Sequence, residues 1–150
     1  MKTTNLKTAA ITALFGIGLL AGCTNSTTNQ KTSDMKTLNL TQEWDKTFPQ
    51  SDKVNHSKVT FTNRYGITLA ADMYVPKNAT GKLPAIAVCG PFGAVKEQAA
   101  GLYAQTMAER GFLTVAFDPS YTGESGGEPR YVVSPDINTE DFSAAVDFFA

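Results

Sequence analysis

The residues best suited to chemistry form a short turn, Cys89-Gly90-Pro91-Phe92-Gly93, between a predicted strand and a predicted helix. Its glycines and proline can hold a backbone N–H in a fixed, outward direction, and stabilisation of an oxyanion during acyl transfer requires such a donor. A turn at the carboxyl end of a strand in a parallel sheet also faces the place where ligands bind. A tight strand-to-helix turn without a catalytic role has the same composition, so both interpretations stay open here.

A second segment, Gly123-Glu124-Ser125-Gly126-Gly127, matches the Gly-x-Ser-x-Gly pattern of a nucleophile elbow. An elbow requires a strand that ends directly at the serine and a helix that begins directly after it. Here the predicted strand ends at Phe117, and Glu128-Pro129-Arg130 follows in place of a helix start. We therefore expect Ser125 to be a loop residue and not the nucleophile.

Few other residues offer a nucleophile or a metal site. The chain has one histidine and two cysteines, which are too few and too scattered for a metal cluster, and we expect no cofactor. His56 precedes the first predicted strand and is expected at the surface. Cys89 ends a buried strand without a histidine partner and is expected to be a core cysteine. The net charge is −1 and the basic residues are scattered singly, which argues against nucleic acid as a partner.

The strands that position these residues are indicated by the spacing of apolar side chains. Alternation around residues 59–61 and again over residues 67–75 predicts a β-hairpin. The almost continuous apolar run at residues 83–89 predicts a strand covered on both faces, as in a parallel sheet. A fourth strand is predicted at residues 112–117.

Two helices complete the predicted order of elements. Apolar residues at three- and four-residue spacing predict a helix over residues 96–110, with Gly111 at the position of a left-handed cap. A last helix is predicted to begin at Asn138 as its N-cap. The order of hairpin, strand, helix, strand and helix predicts an α/β sheet with a right-handed crossover.

Two segments resemble motifs of the α/β-hydrolase superfamily. Residues 88–98 are similar to the turn between the third strand and the first helix in its dienelactone-hydrolase-like branch, whose members often have His-Pro-x-Gly-x-x-Lys-Glu-Gln. Gly90 stands where those members frequently have histidine. Asp118, Gly123 and Ser125 match the pattern Asp-x-x-x-x-Gly-x-Ser that ends the fourth strand.

The resemblance implies a role for each matched residue. Phe92 is expected to supply one backbone N–H of an oxyanion hole. Asp118 is expected to anchor the loop that follows the fourth strand, and Gly123 is expected to allow a tight bend within that loop. Ser125 belongs to the same loop.

The resemblance also implies that residues 55–150 are the N-terminal part of an α/β-hydrolase sheet, truncated before the nucleophile elbow. The nucleophile, the acid and the histidine are then expected beyond residue 150. The complete protein is expected to hydrolyse carboxylic esters or related acyl bonds of small molecules, whereas the 150-residue chain alone is expected to be inactive. The alternative is a lipid-anchored, non-catalytic binding module that retains the fold. The third strand is expected to be an exposed edge, which favours aggregation.

The first segment has the features of an export signal. Lys2 and Lys7 precede an apolar stretch that is shorter than the about 20 residues needed to span a bilayer. The run Leu20-Ala21-Gly22-Cys23 resembles the bacterial lipobox, so residues 1–22 are expected to be removed and Cys23 lipidated. We therefore expect an exported lipoprotein held at a membrane of the cell envelope. Residues 23–54 are predicted to be a flexible tether and an N-terminal arm.

Overall fold

The computed structural model describes residues 37–150, which form a mixed α/β domain. The predicted signal segment, the lipobox with Cys23 and the first part of the tether lie outside the described residues. Within residues 37–150, no helix is both long enough and apolar enough to cross a membrane.

Four strands form one sheet in the order β1-β2-β4-β3. Their bounds are β1 Val54–Thr62, β2 Thr68–Pro76, β3 Ala85–Cys89 and β4 Leu113–Phe117. β1 and β2 form the predicted hairpin, β2 is antiparallel to β4, and β3 is parallel to β4. Among the described residues β3 is therefore an edge strand. This position is the one expected for an exposed edge. The residues of β3 are half-buried or exposed, so the coverage of both faces that the apolar run predicts is incomplete.

The two helices, α1 Ala99–Ala108 and α2 Pro135–Phe148, cover opposite faces of the sheet. Because side chains alternate along a strand, Ala116 and Val115 of β4 point to different faces. Ala116 belongs to the core under α1, and Val115 belongs to the core that contains Ala145 of α2. The helix–sheet–helix arrangement confirms the predicted α/β fold class.

Both helices begin at other residues than predicted. α2 begins at Pro135 because Ser134 is its N-cap: the Ser134 Oγ accepts the Ile137 N–H at 3.5 Å, and proline suits the first helical position. Asn138 therefore lies inside the helix. α1 begins at Ala99, three residues later than predicted, because Gln98 has non-helical backbone angles (φ −108°, ψ −135°).

The described part of the predicted arm, residues 37–53, lies against α1. Trp44 and Phe48 pack edge to face with their ring centroids 5.6 Å apart. The Phe48 ring lies so close to α1 that a Cβ added at Gly101 would be 3.1 Å from it. The Thr47 N–H donates to the Glu97 carbonyl at 3.0 Å, just before the helix.

His56 differs from its prediction as a surface residue before the first strand. It lies within β1, and its side chain is 14% exposed because Trp44 of the arm packs edge to face against its ring. Its Nε2 lies 2.7 Å from the Asp72 Oδ1. His56 is thus bound to a carboxylate of the sheet.

Candidate active site

The turn after β3 presents a free backbone donor. The Ala94 N–H donates to the Pro91 carbonyl at 3.0 Å, which closes a four-residue turn. Gly93, its third residue, has φ +82°, the left-handed conformation that a type II turn requires there. The Phe92 side chain is 78% exposed. Within residues 37–150 the Phe92 N–H donates to no other group, so it is available to a ligand.

This turn forms a wall of a small cavity at the carboxyl ends of β3 and β4. The cavity has a volume of about 70 Å³, and its other walls include Pro119, Thr122, Val132 and Val133. Asn138 of α2 also lines the cavity, so Thr122 and Asn138 are polar and the other three side chains are apolar. The free N–H of Phe92 thus lies beside a small, largely apolar space, as the binding of an acyl group requires.

Asp118 connects this turn to the loop after β4. It follows the last residue of β4 and its side chain is fully buried. Its Oδ1 accepts the backbone N–H of Lys96 at 2.8 Å, at the far end of the turn. Its Oδ2 accepts the Glu124 N–H and the Lys96 ammonium, each at 2.9 Å. One carboxylate therefore holds the backbone of both loops.

Gly123 and Ser125 shape the second loop around Asp118. Gly123 has φ +52°, and an added Cβ would lie 2.1 Å from the Asp118 Oδ2. The Ser125 hydroxyl donates to the Asp118 carbonyl at 2.7 Å and accepts the Ala70 N–H at 2.8 Å. Because Ser125 is only 2% exposed and its proton is donated to a carbonyl, this hydroxyl is not placed to attack a substrate.

Cys89 is half-buried, less enclosed than a core cysteine, because it ends the edge strand. It still packs against the apolar core on the α2 side. Burial, together with Asp118 and Asp141, raises the pKa of its thiol to about 11. The thiol is therefore protonated at neutral pH and is a weak nucleophile.

Lys96, Lys58 and Glu124 are absent from the predicted site, although they hold it together. The Lys96 side chain is fully buried, and its ammonium also contacts Glu97 and lies 2.8 Å from the Glu124 Oε2. The Lys58 ammonium, from β1, reaches the same Glu124 oxygen at 2.7 Å. Two sequence signals point to the lysines. Lys96 matches the lysine of the motif Lys-Glu-Gln. Lys58 shares its strand face with the buried Val54, so a charged side chain there needs a partner.

The charges in this cluster stabilise one another. Burial alone would lower the pKa of Lys96, but its carboxylate partners outweigh burial and raise the pKa, so the ammonium stays charged. Burial alone would raise the pKa of Glu124, but hydrogen bonds from Lys58, Lys96 and Thr41 lower it to about 2. Since this pKa is depressed, the stabilisation by Glu124 is complete above its ordinary value near 4.5 and is lost as the pH falls towards 2.

Three carboxylates near this cluster have the spacing of metal ligands. Oxygens of Asp45, Glu97 and Glu124 lie within 4.8 Å of one another. The ammonium groups of Lys58 and Lys96 already pair with these oxygens. The arrangement is an ion-pair network, because the lysines supply the positive charge that a metal would bring.

Comparison with known proteins shows the family. The family model of the X-Pro dipeptidyl-peptidases (S15 family) matches residues 65–149, more than half of the chain. The match includes the turn after β3, Asp118 and the loop that follows it. The chain belongs to the S15 family. This S15 chain is also 71% identical over 136 residues to the uncharacterized protein PA2218 of Pseudomonas aeruginosa, covering 87% of the chain and 37% of that protein.

Other relatives of this S15 chain include enzymes. It is 34% identical over 98 residues to the thiohydrolase aneE of Aspergillus aculeatus, covering 65% of the chain and 30% of that protein. The chain thus spans about a third of the length of these curated relatives.

Solved structures confirm the predicted fold of this S15 chain. The crystal structure of PA2218 matches it with a TM-score of 0.73 and 80% identity, over 75% of the chain and 35% of that structure. The α/β hydrolase GrgF from Penicillium sp. sh18 matches with a TM-score of 0.56 and 30% identity, over 63% of the chain and 32% of that structure. The domain matches the N-terminal part of α/β-hydrolase folds.

Substitution of Gly123 tests the fit of the second loop around Asp118. We expect Gly123→Ala to lower the free energy of unfolding by about 3 kcal/mol or more, since the added Cβ displaces a buried, paired carboxylate. Gly81→Ala is the matched control, because Gly81 has φ +73° but nothing within 4 Å of an added Cβ. It should cost only the left-handed strain, about 1–2 kcal/mol. Urea unfolding measures the loss of unfolding free energy in each variant. Equal losses in the two variants would contradict the close packing of Gly123 against Asp118.

Proposed function

We propose that this chain is the N-terminal part of a membrane-anchored hydrolase that cleaves carboxylic esters or related acyl bonds of small molecules. The observation that carries the proposal is the free Phe92 N–H on the turn after β3. Asp118 holds this turn in place by accepting the Lys96 N–H. Membership of the S15 family supports the proposal. So does the similarity to the thiohydrolase of Aspergillus aculeatus, whose name describes a hydrolase. The dienelactone-hydrolase-like branch remains our more specific proposal within the superfamily.

The proposed reaction places one chemical role in the described residues. When a nucleophile attacks the acyl carbon, negative charge develops on the carbonyl oxygen. The turn is closed by the Ala94 N–H and the Pro91 carbonyl and does not use the Phe92 N–H. The Phe92 N–H can therefore donate to the developing oxyanion without a rearrangement of the turn. A donor of this kind contributes about a hundredfold to a thousandfold in rate. The adjacent apolar space holds the acyl group.

The attacking group is proposed to lie beyond residue 150. In this fold the nucleophile, the acid and the histidine follow in that order along the chain. The described residues do not supply a substitute: the Ser125 hydroxyl is enclosed, the Cys89 thiol is protonated, and His56 is bound to Asp72. We therefore propose that the 150-residue chain alone is inactive.

The central experiment compares two substitutions of Phe92 in the protein expressed from its complete reading frame. Proline fits the second position of a type II turn but has no N–H, whereas alanine keeps the N–H and removes the ring. With p-nitrophenyl acetate we expect the kcat of Phe92→Pro to be about a hundredfold below that of Phe92→Ala. Equal kcat values would refute the backbone donor. No turnover by the wild-type protein of this ester or of a matched thioester would favour the non-catalytic module.

The inactivity of the short chain has its own test. We expect the purified 150-residue chain, freed of its signal segment, to release no p-nitrophenol above the buffer rate. Turnover that Ser125→Ala abolishes would show instead that the loop serine is the nucleophile.

We further propose export and lipid anchoring at Cys23. The expectation rests on the lipobox-like run before Cys23 and on the apolar stretch that precedes it. Cells that express the protein should incorporate labelled palmitate into it, and Cys23→Ser should abolish the label. Cys89→Ser is the matched control and should keep the label. A labelled Cys23→Ser variant would contradict the anchor.

A further inference from the structure

Glu124 lies where four segments of the domain meet. Its Oε1 accepts the backbone N–H of Thr41, in the N-terminal arm, at 2.7 Å. Its Oε2 accepts hydrogen bonds from the ammonium groups of Lys58, at 2.7 Å, and Lys96, at 2.8 Å. Its own backbone N–H donates to Asp118. A single side chain thus connects the arm, β1, the turn after β3 and the loop after β4.

Lys96 links Glu124 to the turn that carries the Phe92 N–H. It lies four residues after Phe92, and both its backbone N–H and its ammonium are bound to Asp118. At the other end of the turn, Cys89 is fixed by pairing with Phe117 of β4. The segment that holds the Phe92 N–H is therefore fixed at both ends, by a strand and by Lys96.

The charge of Glu124 is needed because two lysines meet on it. The Lys58 and Lys96 ammonium groups bind the same carboxylate oxygen, and their mutual repulsion acts against the charge on Lys58. Lys96 is fully buried and cannot turn to solvent. Without the Glu124 carboxylate, Lys96 keeps Asp118 and Glu97 as partners but is no longer bridged to Lys58 of β1, so the lysine behind the turn is held less firmly.

We propose that Glu124 is a positioning residue: by bridging Lys58 and Lys96 it fixes the direction in which the Phe92 N–H points. This inference rests on the proposed function for its catalytic consequence, but not for its structural one. Glu124 contacts no substrate in this scheme. It acts through Lys96 and the turn.

The test compares Glu124→Gln with Glu128→Gln in the protein expressed from its complete reading frame. Both variants lose one carboxylate from the same loop, but Glu128 is exposed. We expect Glu124→Gln to lower kcat about tenfold with KM within about twofold, because a misdirected donor weakens binding of the transition state more than that of the substrate. Glu128→Gln should match the wild type. Equal kcat values for the two variants, or a loss confined to KM, would overturn the positioning role.

Hydrogen exchange supplies a readout that does not depend on turnover. The Lys96 and Glu124 amides both donate to Asp118, so they should exchange about tenfold faster in Glu124→Gln than in Glu128→Gln. Amides of α2 should exchange alike in both variants. A wild type without any turnover would refute the proposed function only, whereas identical exchange in the two variants would refute the positioning by Glu124.

A double variant covers the case in which Glu124→Gln does not fold. Lys58→Met combined with Glu124→Gln removes the repulsion between the lysines but leaves Lys96 without its bridge. We expect this variant to fold, and its kcat and Lys96 exchange should stay close to the values predicted for Glu124→Gln. Wild-type kcat and wild-type exchange in the double variant would show that the bridge is not needed.

Discussion

The carboxylate of Asp118 is the contact on which the rest of the site depends. It is buried at the end of β4, and it binds the backbone of the turn after β3 and of the loop after β4. The Lys96 Nζ lies 2.9 Å from the Asp118 Oδ2 and balances the charge of the carboxylate. Loss of one partner from a buried ion pair costs about 3–5 kcal/mol, so the two loops are held firmly. The fold thereby offers a rigid backbone donor on a segment without regular structure.

The ion pair does not stand alone, because a buried lysine requires several acceptors. Glu124 and Glu97 share the charge of Lys96, and Lys58 balances the additional carboxylates. The arm takes part through the hydrogen bond from the Thr41 N–H to Glu124. The segment that leads to the proposed anchor is therefore in contact with the support of the candidate site.

Much of the fold could be predicted from local pattern, but the support of the site could not. The strands are short apolar or alternating runs, so their positions along the chain can be read from the local pattern. The start of α1 was missed because the Lys96 N–H donates to the side chain of Asp118, which lies 22 positions further along the chain, and local pattern does not show such a contact. The motif Asp-x-x-x-x-Gly-x-Ser correctly places Asp118 and Gly123 in the loop after β4. The contacts of Glu124 could not be predicted in this way, because its partners come from segments that are far apart in the sequence. His56 was misjudged because alternation does not show that the arm covers β1.

The most direct test is a crystal structure of the protein from its complete reading frame, with a phosphonate bound to its nucleophile. The phosphoryl oxygen of such an adduct stands in for the oxyanion of the acyl-transfer transition state. The account predicts this oxygen about 2.7–3.1 Å from the Phe92 backbone nitrogen. It also predicts that the contacts of Asp118 to Lys96 and Glu124 are unchanged. An adduct whose oxygen points away from the turn after β3 and binds other donors would contradict it.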